Sequence, residues 1–270
     1  MNETPIIAVK VAIDGRGVAT VTMANADKHN AFDDAIIAQL HNAFAELDSN
    51  PEVRVMILAA EGKSFSAGAD LGWMKRMASY SYEDNLRDAK ALAAMLRCLN
   101  FMNKPTIARV QGAAFGGAVG LVSCCDIAVG TARASFSLSE VKIGLVPATI
   151  SPYVVAAIGQ RAARRYFQTA ERFSAQVALQ LGLLSQLAEE DQLDAEIETL
   201  VAALLVNGPQ AVAKAKKLVF DVADREITDQ LVDATSELIA SVRVSPEGQE
   251  GLAAFLDKRA ARWIKTDDGE

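Results

Sequence analysis

The stretch Thr106–Cys125 constrains the fold most, because a strand, a turn of small residues and an uncharged helical segment follow one another in it. Thr106–Val110 ends in apolar, β-branched residues and is typical of a strand. Small residues then crowd the turn, at Gly112, Ala113, Ala114, Gly116 and Gly117. The first N–H groups of the following helix have no partner inside the helix, so an anionic oxygen could bind to them. Alternatively, the small residues only allow a core helix to pack tightly.

A second turn of small residues follows another apolar run. Val53–Ala59 is suited to a buried strand, and Ala67-Gly-Ala-Asp70 leads from there into a helix. Two such turns brought together could direct two backbone N–H groups at one oxygen, which is the geometry of an oxyanion hole. Glu140 ends a strand-like stretch among apolar neighbours, where burial could tune a carboxyl group for acid–base catalysis. The alternative, an ordinary surface or ion-paired glutamate, stays open.

Composition and charge exclude several classes of protein. The formal net charge of −7 argues against nucleic acid or an anionic membrane as the main partner. The longest uncharged apolar stretch, Gly112–Cys125, is shorter than the roughly 20 residues that a membrane span needs. The start of the chain lacks the features of a secretory signal. Cys98, Cys124 and Cys125 have no metal-ligand spacing, so we expect no metal and buried thiols in a reducing cytoplasm.

The order of the predicted elements indicates an α/β core followed by helices. We expect a β-hairpin from Ile6–Ile13 and Val18–Met23, a loop over Asn25–Asn30, and a long helix over Tyr82–Asn100. Between the loop and the long helix, Asp33 or Asp34 could cap a helix whose apolar stripe is Ile36, Ile37, Leu40, Phe44 and Leu47. From Ser174 onward the pattern predicts helices throughout. We therefore place a core at residues 1–195 and a C-terminal helical region at residues 196–270.

Motifs along essentially the whole chain resemble the crotonase (enoyl-CoA hydratase/isomerase) family, in the family's order. They are Phe65-Ser-Ala-Gly-Ala-Asp70, Gln111-Gly-Ala-Ala-Phe-Gly-Gly117, Cys125-Asp-Ile-Ala128, Gly144-Leu-Val-Pro147, Asn25–Ala31 and Glu250–Arg259. The resemblance implies a spiral core of repeated ββα units that holds an acyl-CoA substrate. It also implies a C-terminal helical oligomerisation region and assembly as a homotrimer or a dimer of trimers. Coenzyme A is part of the substrate, so no separate cofactor is expected.

The resemblance assigns roles to particular residues. The N–H groups of Ala69 and Gly117 are expected to bind the thioester oxygen, and Glu140 to act as acid and base. Contacts with the CoA-bearing substrate are expected from Lys28, Ala67, Gly68, Asp70, Leu71, Gly116, Phe255 and Lys258. The last two lie in the terminal helix by this interpretation and approach CoA across a subunit boundary.

One departure from the family concerns the chemistry directly. Family hydratases typically carry a second catalytic glutamate on the helix after the glycine turn, and that position is Gly120 here. Three alternatives follow: a double-bond isomerase that uses Glu140 alone, a hydratase in which one glutamate suffices, or a fold retained without activity.

Finer motifs resemble the bacterial branch that hydrates 3-methylglutaconyl-CoA in leucine breakdown. They are the surroundings of Gly120, Gly72–Met77 and Leu145–Tyr153. A sister branch acts on longer carboxylated isoprenoid acyl-CoAs. Such substrates carry a second carboxylate, for which Lys75 and Arg76 are candidate partners. We hypothesise that this carboxylate compensates in part for the missing glutamate.

A nucleophilic hydrolase would need a serine and a histidine placed together. The chain has two histidines. His29 lies in the loop expected near CoA, and His41 is expected at the surface.

Overall fold

The structure is a computed structural model, and it describes residues 8–264. Its strands are β1 (Val9–Ile13), β2 (Val18–Met23), β3 (Val55–Ala60), β4 (Thr106–Val110), β5 (Ala114–Phe115), β6 (Ile127–Thr131), β7 (Ser135–Ser137), β8 (Phe173–Ser174) and β9 (Gln186–Ala188). Its α-helices are α1 (Asp34–Ser49), α2 (Leu71–Met77), α3 (Tyr82–Asn100), α4 (Gly117–Cys124), α5 (Ser151–Thr169), α6 (Ala175–Leu181), α7 (Leu193–Leu205), α8 (Pro209–Val222), α9 (Asp229–Arg243) and α10 (Pro246–Leu256).

Two sheets form the centre of the molecule. The larger has the order β1-β2-β3-β4-β6-β9, and its strands are parallel except for the β1–β2 hairpin. The smaller has the order β5-β7-β8. Because β4 belongs to the large sheet and β5 to the small one, the chain passes between sheets at the glycine turn. That turn therefore lies where the two sheets meet.

Local sequence signals explain several elements. The side chain of Asp33 accepts a hydrogen bond from the Ile36 N–H and caps α1, whose apolar stripe is buried as expected. Helix α3 begins with a capping box of Ser81 and Asp84, and its bounds confirm the prediction. The hairpin prediction is confirmed for the described residues, whereas Ile6 and Ile7 lie outside them.

The prediction of helices alone after Ser174 was wrong. Strand β9 pairs in parallel with β6 and adds a sixth strand to the large sheet. It has three half-buried residues, which is too short for a period-2 pattern to be recognised. The segment Asn25–Asn30, expected as loop, contains a 3-10 turn at Ala26–Lys28.

The helices of the C-terminal part differ in how they are buried. Leu193, Ile197 and Val201 of α7 pack in a cluster with Val55 and Ile107 of the large sheet. The division drawn between residues 195 and 196 therefore falls inside a helix that packs on the core. Helices α8 and α9 have no buried residue. Within residues 8–264, no helix combines the length and apolar character needed to cross a bilayer.

Candidate active site

The two turns of small residues lie side by side. Ser66 forms a parallel bridge with Ala114, in which the Ser66 N–H donates to the Ala113 carbonyl at 3.0 Å and the Phe115 N–H donates to the Ser66 carbonyl at 3.0 Å. These bonds join the turn after β3 to the turn after β4. The sequence only suggested that the two turns come together, and these backbone hydrogen bonds hold them side by side.

Phe32 contacts both turns. Its N–H donates to the Gly68 carbonyl at 2.9 Å, and its carbonyl accepts from the Asp70 N–H at 3.0 Å. A Cβ added to Gly117 would lie 2.6 Å from the Phe32 Cζ, so the buried ring rests directly on the start of α4. Sequence reasoning missed Phe32, because no local pattern separates it from other core aromatic residues.

The N–H groups of Ala69 and Gly117 are available as donors. In the bridge between Phe32 and Ala69, the bonds are made by the neighbours Gly68 and Asp70, so the Ala69 N–H points away from Phe32. Gly117 is the first residue of α4 and has no acceptor four residues earlier within the helix. Among residues 8–264, neither N–H donates a hydrogen bond.

The backbone of both turns requires glycine. Gly68 has φ of +94°, and a Cβ there would lie 3.0 Å from the Phe115 carbonyl oxygen. Gly116 has φ of +55° and ψ of −125°. L-residues with side chains rarely adopt these conformations, so glycine is favoured for backbone geometry at both places.

Glu140 lies next to the glycine turn. Its Oε1 would be 3.3 Å from a Cβ added to Gly116. Its Oε2 is buried and has no hydrogen-bond partner among the described residues. Burial raises the pKa of Glu140, because a charged carboxylate loses hydration there, although a hydrogen bond from its own backbone N–H opposes the shift. The side chain is thus a partly desolvated acid beside the turn that presents the Gly117 N–H.

Hydrocarbon covers the position where family hydratases carry a second glutamate. A Cβ added to Gly120 would lie 2.4 Å from Ile150 Cγ2 and 3.5 Å from Leu96 Cδ2. Both side chains are buried, with exposures of 2% and 0%. No acidic side chain fits at Gly120 without displacing Ile150. The sequence revealed the missing acid but gave no sign of what fills its place.

Several residues expected near CoA lie around the turn of residues 67–70. Lys28 Nζ is 3.3 Å from Asp70 Oδ2, and Asp70 Oδ1 accepts from the Trp73 N–H to cap α2. The hydrogen bond from Trp73, opposed by burial and assisted by Lys28, lowers the pKa of Asp70. Ala67 and Leu71 are exposed beside them. Lys28 is therefore placed at the mouth of the turn that carries the Ala69 N–H.

The two C-terminal residues expected near CoA are exposed. Phe255 lies on α10, which packs against α8 and α9, and 81% of its surface is accessible. The placement of Lys258 in the terminal helix was wrong, because α10 ends at Leu256 and Lys258 has φ of +55° two residues beyond.

The remaining candidates are placed as follows. Arg76 pairs with Asp34 at the surface, and Lys75 is exposed. The expectation that His41 lies at the surface was wrong: it is half-buried, and its Nδ1 is buried without a partner among the described residues. Ser64 Oγ and His29 Nδ1 are 3.4 Å apart, a contact that the sequence did not suggest. It is exposed and long for a hydrogen bond to oxygen, which makes it a poor nucleophile–base pair.

No group of three or more histidine, cysteine, aspartate or glutamate residues that could hold a metal ion occurs in the described part of the chain. Cys98, Cys124 and Cys125 are free thiols. Burial raises the pKa of Cys125 to about 12, so its thiol is protonated at neutral pH.

Known proteins share this architecture. A crystal structure of an enoyl-CoA hydratase from Shewanella pealeana has a TM-score of 0.93 and 49% identity, and the match covers 96% of this chain and 97% of that one. The structure of AtuE from Pseudomonas aeruginosa has a TM-score of 0.90 and 29% identity, covering 96% and 100%. A crotonyl-CoA hydratase of Syntrophomonas wolfei is 27% identical over 238 residues, which are 87% of this chain and 90% of that protein.

These matches define the fold as the α/β crotonase fold, with helices at the C-terminal end. The family model for enoyl-CoA hydratase/isomerase matches residues 14–266. The chain therefore belongs to the enoyl-CoA hydratase/isomerase family.

Proposed function

We propose that this protein adds water across the 2,3-double bond of an enoyl-CoA thioester, and that its substrate is of the 3-methylglutaconyl-CoA type. The observation that carries the proposal is the position of the Glu140 carboxyl group beside the turn that presents the Gly117 N–H. The names of the relatives from S. pealeana and S. wolfei support hydration as the reaction class. The finer motifs around Gly120 support the substrate class.

The proposed reaction proceeds through an enolate. The thioester oxygen accepts hydrogen bonds from the Ala69 and Gly117 N–H groups, which stabilise the negative charge as it develops. Glu140 takes a proton from water while the water oxygen bonds to C3, and the π electrons move onto the thioester oxygen. Glu140 then returns the proton to C2 as the carbonyl re-forms. One carboxyl group thus supplies both proton transfers.

The substrate's own carboxylate takes over part of the missing glutamate's work in this proposal. Ile150 and Leu96 fill the space at Gly120, so the chain offers no acid there to hold the water. A distal carboxylate on the acyl group supplies a second hydrogen-bond acceptor inside the site. Lys75 is a candidate partner for that carboxylate, whereas Arg76 already pairs with Asp34.

A panel of four thioesters tests the substrate class. We expect glutaconyl-CoA and 3-methylglutaconyl-CoA to be hydrated with higher kcat/KM than crotonyl-CoA and 3-methylcrotonyl-CoA, which lack the distal carboxylate. A higher kcat/KM on crotonyl-CoA would contradict the carboxylate hypothesis. The longer carboxylated isoprenoid acyl-CoAs, the substrates of the sister branch, extend the same panel.

Isomerisation is the second candidate, and the hydrocarbon at Gly120 favours it. Moving a double bond needs one group that removes a proton from C2 and returns it to C4, and Glu140 suffices for this. A 3-enoyl-CoA would then be converted to the conjugated 2-enoyl form without uptake of water. Rising absorbance of the conjugated thioester, with no 3-hydroxyacyl product, would identify this activity. A protein with neither activity would be a scaffold.

We also propose assembly as a homotrimer or a dimer of trimers. Helices α8 and α9 have no buried residue, yet they expose large apolar side chains such as Val219, Phe220 and Ile239. Exposed apolar faces of this kind commonly mark contacts between subunits. Light scattering of the purified protein tests this assembly, and a monomer would contradict it.

A further inference from the structure

One face of α4 runs from the glycine turn toward the end of the helix. Gly116, Gly120 and Cys124 are spaced four residues apart, so they follow one another along that face. Glu140 lies against the first of them and Ile150 against the second. Successive positions of this face are about 6 Å apart along the helix axis. The group that packs against this face therefore changes from an acid to a hydrocarbon side chain within about one helical turn.

A cavity of about 460 Å³ lies at the third position. It lies where α4 ends, beside residues of α5 and α8, the end of α3 and the segment that follows α6. Its apolar lining includes Val122, Cys124, Tyr153, Ala157, Leu183 and Phe220. This volume is within the range of pockets that bind small molecules in proteins.

Two of the polar side chains at this cavity, Ser123 and Asp126, are engaged with other groups of the protein. Ser123 Oγ donates to the Val119 carbonyl at 2.8 Å. Asp126 Oδ2 accepts from Thr106 and pairs with Lys216 Nζ at 2.8 Å. The cavity therefore offers mostly hydrocarbon to a ligand, which suits an alkyl chain better than a polar group.

Ile150 lies between Glu140 and this cavity. Its Cγ2 covers Gly120, and the chain continues directly into Pro152 and Tyr153, which line the cavity. Its 2% exposure shows that the side chain fills its space. Along this face of α4, Ile150 thus covers the position between Gly116, beside Glu140, and Cys124, which lines the cavity.

We infer that the cavity is an acyl-chain subsite and that Ile150 closes it to the native substrate, so that Ile150 limits the length of the acyl group. The inference rests on the proposed use of acyl-CoA thioesters. With isoleucine at position 150, a short acyl group ends against the side chain. With a smaller residue, the alkyl tail continues along α4 into the hydrocarbon-lined space.

Binding of two unreactive thioesters, butyryl-CoA and decanoyl-CoA, tests the inference by calorimetry. We expect wild-type protein to bind decanoyl-CoA no more tightly than butyryl-CoA. We expect Ile150→Ala to shift the ratio of the two Kd values toward decanoyl-CoA by at least about tenfold, because each additional buried methylene favours binding. Turnover of 2-decenoyl-CoA relative to crotonyl-CoA should rise in parallel.

Matched variants make the test specific. Ile150→Val keeps both γ carbons and should leave the ratio unchanged. Ala157→Leu, added to Ile150→Ala, fills the cavity and should restore the wild-type ratio. Ile150→Cys is the milder alternative should Ile150→Ala not fold, and it should shift the ratio in the same direction.

Three results would overturn the inference: an unchanged ratio in a folded Ile150→Ala or Ile150→Cys protein, a gain that survives Ala157→Leu, or a wild-type preference for decanoyl-CoA. Because the ligands do not react, a protein that shows the expected binding ratios but hydrates no thioester retains the subsite and loses the proposed reaction.

Discussion

Gly117 and Gly120, three residues apart at the start of α4, both pack too tightly for a larger residue, but for different reasons. At Gly117 the buried Phe32 ring rests on the residue whose N–H is free to donate. At Gly120 a buried hydrocarbon side chain occupies the space that an acid would need. Small residues three positions apart on one helix can thus serve a polar site and an apolar wall. Only the residues packed against them reveal which.

The largest effect is expected at Glu140, the acid beside the glycine turn at Gly116 and Gly117. Glu140→Gln removes the proton transfers while keeping the size of the side chain. We expect kcat to fall by about 10²- to 10⁴-fold, the usual contribution of a positioned acid or base. Steady-state kinetics checks the loss, and binding of butyryl-CoA should change little. Full activity in the variant would assign the proton transfers to another group.

Gly117→Ala tests the contact between the Phe32 ring and the start of α4. A Cβ at 2.6 Å from the Phe32 ring forces the ring or the helix to move. We expect a loss of about 1–3 kcal/mol in the free energy of unfolding, the usual cost of overpacking a core. Turnover should fall as the N–H shifts. Denaturant titration measures the first effect, and Phe32→Leu in the same protein should recover part of the stability.

Gly120→Ala tests the contact between Gly120 and Ile150, because its effect on the free energy of unfolding should change sign when Ile150 is removed. In the wild-type protein the new methyl group meets Ile150 Cγ2 at 2.4 Å, so we expect destabilisation of about 1–3 kcal/mol. In an Ile150→Gly protein that obstacle is gone, and alanine should stabilise the helix by about 1 kcal/mol relative to glycine. Comparison of the two unfolding free energies measures this. Equal effects in both proteins would mean that Ile150 does not fill the space.

The pH dependence of stability gives a smaller effect. Burial raises the pKa of Glu140 above its unfolded value, so the folded state binds the proton more tightly. Its contribution to stability is present below the unfolded pKa and is lost as pH rises through the folded pKa. Glu140→Gln lacks this titration. Denaturation of both proteins across that pH range should show wild type losing stability relative to the variant as pH increases.

The smallest effect is expected at Lys28, which pairs with Asp70 at the surface. Lys28→Ala should change the free energy of unfolding by less than about 1 kcal/mol, since exposed ion pairs contribute little. If Lys28 contacts CoA, KM should rise while kcat stays unchanged. Lys90→Ala, at an exposed position of α3, serves as a control for loss of a surface charge. Equal KM effects in both variants would argue against a specific contact.

Sequence patterns predicted those parts of the fold that depend on neighbours along the chain. The apolar stripe of α1 and the length of α3 follow from periodicity and capping. Strand β9 has three residues, and only its pairing with β6 identifies it as a strand. Whether so short a segment becomes a strand depends on its tertiary contacts, and these cannot be read from the local sequence.

The active site shows the same difference between features that local sequence predicts and features that depend on tertiary contacts. The glycine turns and Glu140 were recognised by their motifs, and the structure places these segments together. Phe32 and Ile150 could not be recognised, because each acts through a contact with a glycine distant in the sequence. A side chain that fills the space of an absent one leaves no local pattern.

A crystal structure with an unreactive acyl-CoA tests the central claim most directly. We predict that the thioester oxygen lies about 2.7–3.1 Å from the N atoms of both Ala69 and Gly117, as in other oxyanion holes. The Glu140 carboxyl group should face C2 and C3 of the acyl chain. A thioester oxygen bound by other groups, or a Glu140 side chain turned away from those carbons, would contradict the account.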